Sequence, residues 1–77
     1  GCSFPEGEQG LNIGRLVVLN TGLPLSMGGA TINRFCGSSM QSIHTAVGAI
    51  ASGGGEVFIC GGVESMSRIP MGGYNPM

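Results

Sequence analysis

The chain has 77 residues, which is enough for one small domain. Only 9% of its residues are charged and 16 are Gly, whereas an ordinary soluble domain has about 25% charged residues and about 7% Gly. The formal net charge of −1 excludes the basic surface that binds nucleic acid or an anionic membrane. Because a free small domain needs surface charge for solubility, we expect residues 1–77 to be an interior segment of a larger protein.

Neither membrane spans nor cross-links are indicated. No uninterrupted apolar run exceeds four residues, as at 16–19, which is too short for a transmembrane helix. The three cysteines, Cys2, Cys36 and Cys60, form no C-x-x-C pair. Their odd number and wide spacing argue against a disulfide framework and against a structural zinc site. We therefore expect no metal site and a reducing, intracellular compartment.

The first predicted element is a helix over residues 8–20. Leu11, Arg15 and Val18 recur on one side at helical spacing, and Gly22 and Pro24 follow as helix-stopping residues. Residues 23–29, "LPLSMGG", are predicted as a loop. Residues 30–35 follow a Gly pair, contain Thr and Ile, and are predicted as a strand.

A second, stronger helical pattern follows Cys36. Its apolar stripe is Met40, Ile43, His44, Val47, Ile50 and Ala51. The segment has no charged side chain, so we expect this helix to be buried on nearly all sides. Residues 52–55, "SGGG", end the helix, and residues 56–60, "EVFIC", are predicted as a buried parallel strand. The order strand, helix, strand predicts a βαβ unit and hence an α/β fold, with a loop at residues 71–77.

Cys36 stands at the predicted junction between strand and helix. The start of a helix offers unpaired N–H groups and the positive end of the helix dipole. Both favour a thiolate, which is the reactive form of cysteine, and both favour an oxyanion during acyl transfer. Gly37, Ser38 and Ser39 are small enough to admit a substrate, and the hydroxyls of the two serines suit a helix cap. The alternative is an inert, buried thiol, the commoner fate of an unpaired cysteine, and the pattern alone leaves both interpretations open.

The chain offers no evident base for Cys36. His44 lies eight residues further along, about 12 Å along a helix axis, and on the apolar stripe, where a packed histidine is the commoner explanation. Glu56 and Glu64 show no spacing that marks an acid and a base. If Cys36 is a nucleophile, we expect its base to lie outside these residues.

The blocks "TINRFCGSSMQSIHTAVGAI" and "GGVESMSRIP" resemble the thiolase family, the acetyl-CoA acyltransferases. The preceding "EGEQGLNIGRLVVLNTGLP" also resembles the helix that the family has before its nucleophile strand, and the resemblance runs from Gly1 to Pro70. It implies that residues 1–77 are a partial thiolase-like α/β fold, a piece of the N-terminal thiolase domain that ends near the start of the family's loop domain.

The resemblance implies a specific chemistry. Cys36 matches the family's catalytic nucleophile, which takes an acyl group from a 3-ketoacyl-CoA as a thioester and passes it to coenzyme A, or runs the reverse Claisen condensation. The N–H of Cys36 matches one donor of the family's oxyanion hole. The family also uses a His in a Gly-His-Pro motif as the base and a second catalytic cysteine near its C-terminus. Neither motif is present here, so we expect the isolated chain to be inactive. Coenzyme A is implied as a co-substrate, with no permanently bound cofactor and with no coenzyme-binding residue identifiable here; Glu64, Ser65 and Ser67 are expected to be structural or interface groups.

The family further implies a homodimer or homotetramer, alone or with a subunit of a β-oxidation multienzyme complex. Its location would be cytoplasmic in a bacterium, and mitochondrial or peroxisomal in a eukaryote. Two alternatives remain open. One is a ketosynthase-type condensing enzyme, which shares the fold and the cysteine, and the other is a non-catalytic piece with a role only in assembly.

Overall fold

The structure, a computed structural model, describes residues 1–74. Within them the regular elements are helix α1 at Ile13–Asn20, helix α2 at Ser38–Ala51, and 3-10 turns at Gly7–Gln9 and Phe35–Gly37. Of the loop predicted at 71–77, residues 71–74 form turns and bends, and the remaining three residues lie outside the described range. No helix of this described part is long and apolar enough to cross a membrane.

Helix α1 begins at Ile13 and not at Glu8, so the predicted start is wrong. Leu11 and Asn12 have φ values of 56° and 57°, and this left-handed backbone separates the first 3-10 turn from the right-handed helix. The Gly14 N–H of the first helical turn donates to the Thr31 hydroxyl at 3.0 Å. The helix start is thus stabilised by a residue from another segment, which a local pattern does not reveal. The predicted end at Asn20 is confirmed.

The loop after α1 folds back on the helix. The Arg15 guanidinium donates to the carbonyl oxygens of Met27 and Leu25, the latter at 3.0 Å. The backbone approach is close, because a Cβ added at Gly29 would lie 2.6 Å from the Arg15 Cα. Arg15 therefore serves as a donor to loop carbonyls, although the helical pattern placed it beside apolar residues.

The two predicted strands, at residues 30–35 and 56–60, are not formed among residues 1–74, and the predicted βαβ unit is not formed either. A strand needs a neighbour for its N–H and C=O groups. Here a few isolated bonds join the extended segments to the N-terminus: Cys2 N–H donates to Ile32 O at 3.0 Å, Val63 N–H donates to Gly1 O at 3.0 Å, and the Gly1 amino group donates to Gly61 O at 2.8 Å. The N-terminal residues thus bond to one predicted strand, at Ile32, and to residues 61 and 63 just after the other.

Helix α2 has the predicted position, but its expected burial is wrong for this structure. Only Ser38 is buried along the helix, while Met40, Ile43 and Val47 of the apolar stripe are 65%, 54% and 61% exposed. The small apolar core of the described residues consists of Cys2, Val18 and Ile69. None of these core residues belongs to α2, and residues 1–74 leave about half or more of each of these three stripe side chains exposed.

Candidate functional site

Cys36 lies in the 3-10 turn Phe35–Gly37, immediately before α2, and its thiol is exposed. The residue at the N-cap position of α2 is Gly37, which has no side chain that could cap the helix. The cysteine is therefore placed at a helix N-terminus as predicted, whereas the expected helix cap by a neighbouring hydroxyl is absent at this position.

The Ser38 hydroxyl holds the turn that carries Cys36. Its Oγ accepts a hydrogen bond from the Arg34 N–H at 2.8 Å and donates to the Phe35 carbonyl at 2.6 Å. Ser38 is only 4% exposed, and a buried hydroxyl needs such partners. The hydroxyl thus satisfies the backbone before Cys36 instead of the helix N–H groups after it.

Phe35, the residue before Cys36, adopts an unfavourable backbone conformation. Its φ is 46°, and a bulky residue with positive φ is uncommon. The Phe35 N–H donates to the Asn33 Oδ1 at 2.9 Å, and the Asn33 amide donates to the Ser3 carbonyl at 3.0 Å. The Phe35 ring lies 5.9 Å from that of Phe4, centroid to centroid. These contacts offset the strain and fix the direction in which the chain enters the turn.

The backbone N–H groups of Cys36, Gly37 and Ser38 differ in whether they donate a hydrogen bond. The Gly37 N–H donates to the Arg34 carbonyl at 3.0 Å, and the Ser38 N–H donates to the Phe35 carbonyl. Neither the backbone nor the side-chain hydrogen bonds found for residues 1–74 have the Cys36 N–H as donor. An amide with an available N–H next to a thiol suits stabilisation of a developing oxyanion.

A cavity of about 640 Å³ lies beside Cys36, and we call it the Cys36 cavity. Three parts of the chain line it: the N-terminal segment, the junction before and at the start of α2, and the segment that follows the second predicted strand. The residues from these parts include Ser3, Phe4, Phe35, Cys36, Ser38, Ser39, Val63, Glu64 and Met66. The thiol thus faces a mainly apolar space that brings together residues about 60 positions apart.

The other ionisable residues considered from the sequence lie elsewhere. His44 is exposed on α2 and does not line the Cys36 cavity. Glu56 is exposed in the segment after α2. Cys60 is exposed, with its Sγ 3.7 Å from the Ser42 carbonyl oxygen, and Cys2 is buried. The structure brings none of these side chains to Cys36 as a base.

Glu64 is the acidic residue that the structure brings to this site, although the sequence indicated only a structural or interface role. Glu64 lines the Cys36 cavity, and its carboxylate accepts a hydrogen bond from the Ser3 N–H. Gln9 was not singled out at all, yet its amide contacts both Glu64 and the Ser65 backbone. The available signal was weak: an uncharged polar residue in a Gly-rich turn gives no sign that it becomes buried.

The donor set of the site is one thiol, one carboxylate, hydroxyls and backbone amides. Residues 1–74 contain no group of three or more His, Cys, Asp or Glu side chains that could hold a metal ion. The chemistry that this arrangement supports is attack by a thiol on a carbonyl carbon, with a backbone N–H as an oxyanion donor.

Comparison with known proteins identifies the family of the chain. The family model for the thiolase N-terminal domain matches residues 1–76. The chain is 56% identical over 71 residues to a 3-ketoacyl-CoA thiolase of Psychrobacter cryohalolentis, and 55% and 54% identical to those of Psychrobacter arcticus and Colwellia psychrerythraea. Each match covers 92% of this chain and 18% of the relative, so the chain spans about a fifth of the length of these relatives. By the extent of the domain match and by these identities, the chain belongs to the thiolase family, in the region of its N-terminal domain.

Proposed function

We propose that the chain supplies the nucleophile of an acyltransferase, within a longer protein. That enzyme cleaves a 3-ketoacyl-CoA with coenzyme A to acetyl-CoA and a shortened acyl-CoA, or catalyses the reverse condensation. The observation that carries the proposal is an exposed thiol at a helix N-terminus that opens on the Cys36 cavity. Family membership and relatives named 3-ketoacyl-CoA thiolase support the choice of substrate.

The chemistry needs two transfers of one acyl group. The Cys36 thiolate attacks the C3 carbonyl carbon of the 3-ketoacyl-CoA and forms a C–S bond. The C2–C3 bond then breaks, and its electron pair forms the enolate of acetyl-CoA, which takes up a proton. The thiolate of a second coenzyme A attacks the acyl-Cys36 thioester, releases the shortened acyl-CoA and restores the Cys36 thiolate. In both transfers negative charge develops on the carbonyl oxygen, where the Cys36 N–H is the proposed donor.

The remaining groups of the active site are proposed to come from the rest of the longer protein. Proton transfer to and from Cys36 needs a base within hydrogen-bond distance, and His44 lies on a part of α2 that does not line the cavity. We assign the base and the main coenzyme A contacts to residues outside this chain. We also assign α2's exposed stripe to contacts with the rest of the longer protein, which we expect to be a homo-oligomer.

The test is to map the acyl adduct on the full-length protein. The protein is mixed with a 3-ketoacyl-CoA in the absence of free coenzyme A, quenched in acid, digested and analysed by mass spectrometry. We expect the acyl group on the peptide that contains Cys36. Cys36→Ser should abolish the adduct and lower thiolysis by at least about a thousandfold, because the reaction loses its nucleophile.

Cys60→Ser is the matched control, because Cys60 is also an exposed thiol but does not line the cavity. This variant should keep both the adduct and the activity. An acyl group that maps to another residue, or that survives in Cys36→Ser, would contradict the proposed function.

A further inference from the structure

Gln9 is a buried polar residue whose amide joins two distant segments. It is 4% exposed, and its Nε2 donates to the Phe4 carbonyl at 3.0 Å while its Oε1 accepts from the Ser65 N–H at 2.6 Å. The orientation of the amide is determined by these partners, because a carbonyl only accepts and an N–H only donates. A rotated amide would lose both bonds.

The same amide approaches the carboxylate of the Cys36 cavity. The Gln9 Nε2 lies 3.5 Å from the Glu64 Oε2 and 3.5 Å from the Cys2 Sγ. Since one of its two N–H groups bonds the Phe4 carbonyl, the other is shared between these two acceptors. The opposite oxygen of Glu64 accepts the Ser3 N–H. Both oxygens of Glu64 are therefore held by the N-terminal part of the chain.

The segments that Gln9 joins are two walls of the Cys36 cavity. Ser3 and Phe4 line it on one side, and Val63 and Glu64 line it on the other. Gln9 itself does not line the cavity, and its side-chain hydrogen bonds in residues 1–74 go to residues other than Cys36. Any influence of Gln9 on the reaction must therefore pass through the position of these walls.

We propose that Gln9 is a positioning residue that fixes the Glu64 wall of the Cys36 cavity and so aligns the C3 carbonyl carbon of the 3-ketoacyl-CoA with the Cys36 thiol. The proposal rests on the function proposed above and adds to it a residue outside the cavity. Loss of the amide leaves the Ser65 N–H without its acceptor, whereas the Phe4 carbonyl keeps its bond from the Glu6 N–H. The two walls then lose the hydrogen bonds through which Gln9 joins them. A misplacement of about 1 Å at a reacting carbon can cost up to about a hundredfold in rate.

The test compares two reactions of Cys36 in the full-length protein. Gln9→Leu should lower kcat/KM for thiolysis by about tenfold or more, with a parallel loss in the single-turnover acylation rate. Alkylation of Cys36 by iodoacetamide should change by less than about twofold, because this small reagent needs no alignment by the walls. The matched control is Val18→Ala, which perturbs the buried core of α1 outside the cavity. This control should lower the melting temperature without changing the ratio of the two rates.

Gln9→Glu keeps the shape and the oxygen that accepts the Ser65 N–H but removes the donor. The introduced carboxylate would face Glu64 and Cys2, the ionisable groups next to the amide in the described residues. Protonation of the introduced carboxyl restores a donor, so thiolysis by this variant relative to wild type should rise as the pH falls from about 8 to about 5.5.

The outcomes separate the two proposals. Wild-type protein without an acyl adduct on Cys36 would refute the proposed function. A normal adduct in wild type, together with unchanged thiolysis in Gln9→Leu or a wild-type pH profile in Gln9→Glu, would refute the role of Gln9 alone. Equal losses of acylation and alkylation in Gln9→Leu would likewise refute alignment and indicate general destabilisation.

Discussion

The two ends of α2 are held very differently. At its N-terminus Ser38 is buried and hydrogen-bonded on both sides, and the turn before it is fixed by Asn33. Towards its C-terminus Val47 and Ile50 are 61% and 47% exposed. The end that presents the thiol is thus organised by this chain alone, whereas the other end presents an apolar surface.

The segment after α2 continues this contrast. Val57 and Ile59 are 85% and 79% exposed, but a few residues later Glu64 and Ser65 are bonded to the N-terminal segment and to Gln9. Polar contacts therefore join this later part of the segment to the N-terminal residues that line the Cys36 cavity. The difference teaches that hydrogen bonds within residues 1–74 hold the walls of the site together, while we expect the rest of the longer protein to cover the apolar surfaces.

The largest effect is expected from a charge placed on the exposed apolar stripe of α2, which tests whether the longer protein covers that stripe. In the full-length protein we expect Val47→Asp to lower the free energy of unfolding by about 3 kcal/mol or more, because a covered helix face would hold an unpaired carboxylate. Denaturant unfolding measures the loss. Ser26→Asp, which adds the same charge to an exposed loop, should change it by less than about 0.5 kcal/mol. Equal stability of both variants would mean that the stripe stays in water.

A smaller effect is expected at the organised end. Ser38→Ala removes the hydroxyl that joins the Arg34 N–H to the Phe35 carbonyl, and it should lower the free energy of unfolding of the full-length protein by about 1–3 kcal/mol. The rate of Cys36 alkylation should also change, since the turn that carries the thiol is loosened. Ser52→Ala removes an exposed hydroxyl at the other end of α2 and is the control. Indistinguishable stability and alkylation in the two variants would contradict a role for Ser38 in the turn.

The smallest expected effect is a stability change that differs in sign between the 77-residue chain and the full-length protein. Gly48 lies in α2, and a Cβ added there would meet open space. Gly48→Ala should therefore stabilise the helix by up to about 1 kcal/mol and raise the helix content of the 77-residue chain. In the full-length protein a covering surface would meet the added methyl and cancel or reverse this gain. Circular dichroism of the chain and denaturant unfolding of the full-length protein measure the two effects. A similar gain in both would argue that this part of α2 is uncovered.

Much of the candidate site could be predicted from short-range patterns. The position of α2 and the placement of Cys36 before its first turn followed from apolar spacing and from the Gly and Ser residues beside the thiol. Helical periodicity depends on residues three and four positions apart, so it is visible in any short window. The start of α1 was missed because the hydroxyl bonded to its first turn comes from Thr31, beyond a loop.

By itself the sequence determined where the helices end, where the thiol stands relative to α2, and, through its motif blocks, the family. Those features depend on neighbouring residues and on side-chain types that are read directly. Only the tertiary structure decided that the two expected strands stay unpaired, that Glu64 joins Cys36 around one cavity, and that Gln9 becomes buried between its walls. The physical reason is that hydrogen bonds between residues more than 50 positions apart depend on how the chain folds back, and no local pattern carries that information.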